Sequence, residues 1–161
     1  MLHRALLSLA LALHLHLAAS QAWIPLVVEP CAAPAQSPCQ YYHQRSCTSS
    51  GCLFASAQDS NLCIYSPGRD QYLYLAPCNA SDAQQSYKWG KNEGNFVAGG
   101  GGCWSETAIT PGGPAGDAVG VYGCGADQGV FDLLQLPGNL TQIISNTSGM
   151  CLDAQQPTTA S

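Results

Sequence analysis

The sequence predicts an all-β fold of three pseudo-repeats of about 45 residues, one of them split across the two chain ends. Three apolar runs end in cysteine: Leu26-Val-Val-Glu-Pro-Cys31, Leu73-Tyr-Leu-Ala-Pro-Cys78 and Val119-Gly-Val-Tyr-Gly-Cys124. Those cysteines recur after 47 and then 46 residues. Behind each run stands a glutamine station, Gln40-Tyr41-Tyr42, Gln85-Ser86-Tyr87 and Gln128-Gly129-Val130, at intervals of 45 and 43 residues. A second set of cysteine stations interleaves with these: Leu62-Cys63-Ile64, Gly102-Cys103-Trp104 and Met150-Cys151-Leu152-Asp153. Self-similarity at one period decides architecture ahead of local propensity. Three copies of a cysteine-bearing strand pair imply a threefold β structure.

The N-terminal segment stands outside that pattern. Met1-Leu-His-Arg4 is a short basic region, and Ala5 to Leu17 is an apolar run interrupted only by Ser8, His14 and His16. Small residues follow, so residues 1–22 read as a signal peptide cleaved after Ser20 or Ala22. The run is shorter than the roughly 20 apolar residues that a membrane span requires. Residues 23–157 form the repeat domain, with a Cys-rich insertion near 45–52, and 158–161 are a tail. Within the domain, Leu73-Tyr-Leu, Val119-Gly-Val-Tyr and Gln142-Ile-Ile are short and β-prone, bounded by Gly, Pro, Asn and Ser clusters. After the leader no stretch carries the apolar period of a helix.

With the leader removed, Arg45, Arg69, Lys88 and Lys91 stand against ten acidic residues, a balance of −6. That excludes the clustered cations that nucleic acid or an anionic membrane would demand. So few charges leave solubility to Ser, Thr, Asn, Gln and glycans. Asn79-Ala-Ser81, Asn139-Leu-Thr141 and Asn146-Thr-Ser148 are sequons for the last. The expected location is secreted or lumenal: extracellular, lysosomal or vacuolar.

In an oxidising lumen the nine cysteines read as disulfides rather than metal ligands. The repeat suggests Cys63–Cys78 and Cys103–Cys124, each bracketing one hairpin. If the third repeat is split across the ends, Cys31 and Cys151 are the missing pair and tie the termini together. The spacing from Cys31 to Cys63 is 32 residues, against 25 and 27 in the other repeats. The first repeat therefore carries an insertion, expected to be stapled as Cys47–Cys52. Cys39 is left over, to be read as buried, as cross-linked to a partner chain, or as a sign that the product continues beyond Ser161.

These residues resemble the ricin-B-like lectin family, the R-type β-trefoils. The family repeat runs from a Gly-x-Cys-Leu-Asp start through an apolar strand into Pro-Cys, then Gln-x-Trp, then the next start. Leu75-Ala-Pro-Cys-Asn-Ala-Ser-Asp-Ala-Gln-Gln-Ser-Tyr-Lys-Trp89 is similar to the middle of such a repeat. Asn139-Leu-Thr-Gln-Ile-Ile-Ser-Asn-Thr-Ser-Gly-Met-Cys-Leu-Asp-Ala154 is similar to the passage into the next start. The resemblance covers residues 24 to 156 and implies a β-trefoil, a threefold barrel with a hairpin cap that leaves no exposed sheet edge. It also implies that Gln40, Gln85 and Gln128 are buried polar groups bonding backbone, with Tyr42, Tyr87 and Trp89 structural beside them.

Sugar recognition in a shallow site requires a carboxylate or amide for adjacent hydroxyls and an aromatic face for the C–H side of the ring. In a ricin-like lobe the key Asp stands two after the first Cys, and a Gln and a stacking aromatic stand four and two before the second. The lobe split across the termini supplies Asp153 but offers Val27, Glu29 and Cys39 at the other stations. The lobe from Cys63 to Cys78 has Tyr65 in place of the Asp, with Tyr74 and Ala76 on the strand. The lobe from Cys103 to Cys124 has Ser105 and then Glu106, Gly120, Tyr122 at the stacking position, and Asp127 before Gln128. The resemblance thus nominates Asp153, Tyr122, Glu106 and Asp127 as sugar-binding residues.

The function expected is a secreted, non-catalytic carbohydrate-binding module with degenerate sites, needing no cofactor. Two alternatives stay open: an accessory domain of a glycoside hydrolase or glycosyltransferase, and a protein-binding or protease-inhibitor trefoil. Catalysis finds little support. His43 is the single histidine after the leader, no nucleophile-elbow pattern occurs, and the Gly99–Gly102 run lacks the Lys-Ser/Thr of a phosphate loop.

Overall fold

A computed structural model of the protein describes residues 24–90, 95–98, 102–106, 117–124 and 130–155. The expected leader at 1–22, Asp127, Gln128 and the tail at 158–161 lie outside the described residues. The chain is all-β, and its antiparallel strands curl into a half-barrel. The strands are β1 (Ile24–Glu29), β2 (Tyr41–Thr48), β3 (Gly51–Ser56), β4 (Leu62–Tyr65), β5 (Tyr74–Pro77) and β6 (Tyr87–Gly90). They continue as β7 (Asn95–Ala98), β8 (Cys103–Glu106), β9 (Asp117–Tyr122), β10 (Phe131–Leu136), β11 (Leu140–Ser145) and β12 (Cys151–Ala154).

The strands alternate between two kinds of pair. Each cysteine-bracketed pair is one hairpin or its split equivalent: β4 with β5, β8 with β9, and β12 with β1 across the termini. Each glutamine station opens the other kind: β2 with β3, β6 with β7, and β10 with β11. The β10–β11 hairpin turns at Pro137-Gly138-Asn139, where Gly138 (φ +80°) and Asn139 (φ +58°) adopt the left-handed backbone that these two residue types tolerate best.

The three bracketed pairs meet at their inner strands. Strand β1 is hydrogen-bonded to both β5 and β9. Leu26 N–H donates to Leu73 C=O at 3.0 Å, and Leu73 N–H donates to Val119 C=O at 2.8 Å. Leu26, Leu73 and Val119 each stand five residues before their cysteine, and all three are completely buried. Equivalent sequence positions are therefore hydrogen-bonded in series, Leu26 to Leu73 to Val119. Trp104 fills the space beside them, edge-on to Tyr87 (centroids 4.8 Å apart) and to Phe131 (6.1 Å). Burying each such side chain stabilises the fold by about 1.5–3 kcal/mol before the entropy of ordering is counted.

All four expected cysteine pairs stand at disulfide distance: Cys31–Cys151, Cys47–Cys52, Cys63–Cys78 and Cys103–Cys124. Cys39 lies outside these bridges, half-buried, with its thiol donating to Gln58 Oε1 at 3.0 Å. The insertion near 45–52 is a lengthened β2–β3 hairpin, with a register shift between Arg45 and Thr48. One detail departs from the sequence reading. The third station, Gln128-Gly129-Val130, has its core aromatic one residue later, at Phe131, whose cross-strand partner Ser145 matches Ser56 opposite Tyr42. Counted this way the core aromatics Tyr42, Tyr87 and Phe131 are 45 and 44 residues apart.

Candidate functional site

The two described glutamine stations, at Gln40 and Gln85, are structural anchors. Gln40 Oε1 accepts from Ala32 N–H at 2.9 Å and its Nε2 donates to Pro30 C=O at 3.0 Å. Gln85 Oε1 accepts from Asn79 N–H at 2.7 Å and its Nε2 donates to Pro77 C=O at 2.8 Å. In both repeats one side chain thus bonds the residues immediately before and after the cysteine. Each is 2% exposed, so neither amide is offered to a ligand. The tyrosines behave alike: Tyr42 OH donates to Leu152 C=O and Tyr87 OH to Ile64 C=O, one residue after the first cysteine of each lobe. Burial pushes both phenols well above their usual range, with Asp153 adding to the effect on Tyr42 and Asp82 to that on Tyr87. Trp89 departs from this pattern. It is 39% exposed, with its indole N–H donating to Phe131 C=O at 3.1 Å.

The three lobes differ sharply in what they present. In the split lobe Asp153 lies on β12 opposite Val27, is only 7% exposed, and accepts from Ser37 Oγ at 3.2 Å. A ligand hydroxyl reaching that carboxylate would have to displace Ser37. In the Cys63–Cys78 lobe Tyr65 and Tyr74 are cross-strand partners with ring centroids 4.9 Å apart. Tyr65 OH donates to Gln84, and Tyr74 is pushed up to about 12 by burial and then by Tyr65. Two packed rings fill the place of a carboxylate there.

In the Cys103–Cys124 lobe both strands and Gly123-Cys124 are described, without residues 107–116. Glu106 faces Val119 across the β8–β9 pair, is 3% exposed, and accepts from Ser148 Oγ at 2.7 Å. Its carboxylate thus joins this lobe to the turn before β12. Tyr122, by contrast, is partly exposed at the end of β9. Its ring lies across Gly120. A Cβ on that glycine would come within 2.8 Å of Tyr122 Cε2 and 3.2 Å of its hydroxyl. The glycine leaves room for the ring to lie along the strand rather than stand away from it.

A segment of the neighbouring repeat completes this face. Asp70 N–H donates to Val121 C=O at 2.7 Å, Val121 N–H donates to Gln71 C=O at 2.9 Å, and Tyr72 pairs with Gly120. Tyr72 is 56% exposed beside Tyr122, and Arg69's guanidinium lies against Gly123. Burial raises the Tyr122 phenol above its usual range, and nearby Tyr72 and Asp70 add to the rise. The outcome is a surface with two tyrosines, a carboxylate and a guanidinium within one turn and one strand. Sequence reasoning nominated Tyr122 but missed Arg69, Asp70 and Tyr72. The signal was present in the alternation of Tyr72-Leu73-Tyr74-Leu75, which turns both tyrosines away from the buried leucines.

The expected sequon asparagines, Asn79, Asn139 and Asn146, are all exposed. Asp127 lies outside the described residues. Among the described residues no group of three or more His, Cys, Asp or Glu side chains is disposed to hold a metal, and no helix is long and apolar enough to cross a membrane. No family model matches the chain, and no curated protein or solved structure matches it either.

Proposed function

We propose that the protein is a secreted, non-catalytic carbohydrate-binding module, a ricin-B-like β-trefoil whose working face surrounds Tyr122. The trefoil reading is supported by the three-way junction of β1, β5 and β9 and by the recurrence of one glutamine anchor in successive repeats. The four disulfides are consistent with an oxidising, extracellular environment. A single observation carries the sugar-binding reading: Tyr122 lies along Gly120 with exposed Tyr72 and Asp70 beside it. An aromatic face for C–H groups and a carboxylate for hydroxyls are the two elements that a shallow sugar site needs.

The other two lobes are read as structural. Asp153 is hydrogen-bonded inside the fold in one, and the Tyr65–Tyr74 pair occupies the other; within the working lobe Glu106 is engaged by Ser148 and is not offered to a ligand. One working lobe per molecule predicts weak binding at this face, without the avidity of several equivalent lobes. The test is a glycan-array screen of the secreted protein beside Tyr122→Ala, Tyr72→Ala and Asp153→Ala. Binding that falls at least tenfold in the first two and survives the third supports the proposal. A folded protein silent across the array would falsify it.

A further inference from the structure

The β2–β3 hairpin carries an insertion that neither later repeat has, and that insertion forms one wall of a cleft of about 460 Å³. Ser46, Thr48 and Ser50 line it from the hairpin, and Ser81, Asp82 and Ser86 line it from the turn before β6. Leu53 and the alanines of the same turn supply the apolar part of the lining. We propose that this cleft is a second binding site, separate from the Tyr122 face, for a neutral hydroxylated ligand of one or two sugar units. The proposal rests on the carbohydrate-binding reading and deepens it.

Three features carry it. The size falls within the roughly 300–1,000 Å³ of small-molecule sites. The lining chemistry selects the ligand: five hydroxyl side chains can each donate and accept, whereas Asp82 is the sole charged group among them. A negative charge with no cation beside it in the lining disfavours anionic sugars and phosphates. Aliphatic surface among hydroxyls matches a pyranose, which has both C–H and O–H groups to place.

The walls are also held in position. Cys47–Cys52 closes the hairpin five residues apart, and Cys52 pairs with Tyr87 at the start of β6. Gly51 adopts φ +137°, and a Cβ there would come within 2.5 Å of the Tyr87 backbone, so the hairpin is pressed directly onto the strand next to the opposite wall. That wall is ordered by Asp82 Oδ1, which accepts from Gln84 N–H at 2.9 Å, and by Asn79 Oδ1, which accepts from Ser81 N–H at 3.0 Å. A preorganised site spends little affinity on ordering itself.

The sequon Asn79-Ala-Ser81 reaches the cleft through Ser81, so the hydroxylated ligand has two sources: free sugar, or a glycan carried on Asn79 itself. The test is an amide-resonance titration of the secreted protein, before and after enzymatic removal of its N-glycans, using glucose, galactose, mannose and N-acetylglucosamine in turn. Saturable shifts at Ser46, Ser50, Ser81 and Asp82, weakened at least tenfold in Ser50→Trp and in Asp82→Asn but unchanged in Tyr122→Ala, support the site. If they appear in both forms the ligand is free sugar. If they appear only in the deglycosylated protein, the protein's own glycan occupies the cleft. Shifts confined to Gly120–Tyr122 overturn this inference while sparing the function proposed above. Silence at the cleft in both forms overturns it too.

Discussion

The bridge between Cys31 and Cys151 ties β1 to β12 and joins residues 120 apart. Removing it as Cys31→Ala/Cys151→Ala frees the two ends of the unfolded chain. In the loop-closure description the loss grows with the logarithm of the closed length. Three other bridges, of separation 5, 15 and 21, lie inside this loop and shorten it. About 80 residues of free chain remain, which gives a destabilisation of about 4.5 kcal/mol. The Cys63–Cys78 bridge, of separation 15, gives about 3 kcal/mol by the same relation.

The two pairs form a matched control. Cys151 and Cys63 are both completely buried, while Cys31 and Cys78 are both exposed, so the cavity terms of the two double variants are alike. Their difference, about 1.5 kcal/mol, therefore reports loop length. Urea unfolding followed by the fluorescence of buried Trp104 measures it. The m-value should rise most in the terminal-bridge variant, because its denatured chain expands further. A loss below about 2 kcal/mol for Cys31→Ala/Cys151→Ala, or one no greater than for Cys63→Ala/Cys78→Ala, would refute the reasoning.

Gln85→Leu strands the Asn79 N–H and the Pro77 C=O, both only partly shielded, and should cost about 2–4 kcal/mol in thermal or urea unfolding. Gly120→Ala drives a Cβ into the Tyr122 ring. It should lower glycan binding at least tenfold while costing stability about 1–3 kcal/mol, which parallel array and unfolding measurements will separate. Tyr42 and Tyr87 ionise far less readily folded than unfolded. The stability they confer is fully present below about pH 10, and it falls above that by about 1.4 kcal/mol per pH unit for each tyrosine. Chemical denaturation across alkaline pH checks the sign: stability that rises above pH 10 contradicts the burial of these phenols.

The sequence by itself determined the repeat and the contacts that a repeat encodes. The spacing of Leu26, Leu73 and Val119 before their cysteines dictated equivalent positions, and the structure places all three at one junction. The same periodicity led to Cys31–Cys151, Cys63–Cys78 and Cys103–Cys124, because each is a contact within one repeat. Cys47–Cys52 followed from the break in that spacing, and the glutamine anchors from the resemblance of their stations to ricin-B-like ones. The periodicity did not supply the third core aromatic, because Phe131 stands one residue beyond the station Gln128-Gly129-Val130 and only cross-strand register sets it opposite Ser145 as Tyr42 is set opposite Ser56.

Tertiary structure alone decided what surrounds the candidate site residues. Asp70 and Tyr72 reach Tyr122, and Arg69 reaches Gly123, from another repeat, held by backbone hydrogen bonds between residues about 50 positions apart. Ser37 takes Asp153, and Ser148 takes Glu106, across sequence separations of 116 and 42 residues. The cleft beside Asp82 depends on how an inserted hairpin settles on β6. No period announces such contacts, because they run through residues that the repeats do not share. Periodic residues specify a shared scaffold, and the irregular ones acquire neighbours only once that scaffold has closed.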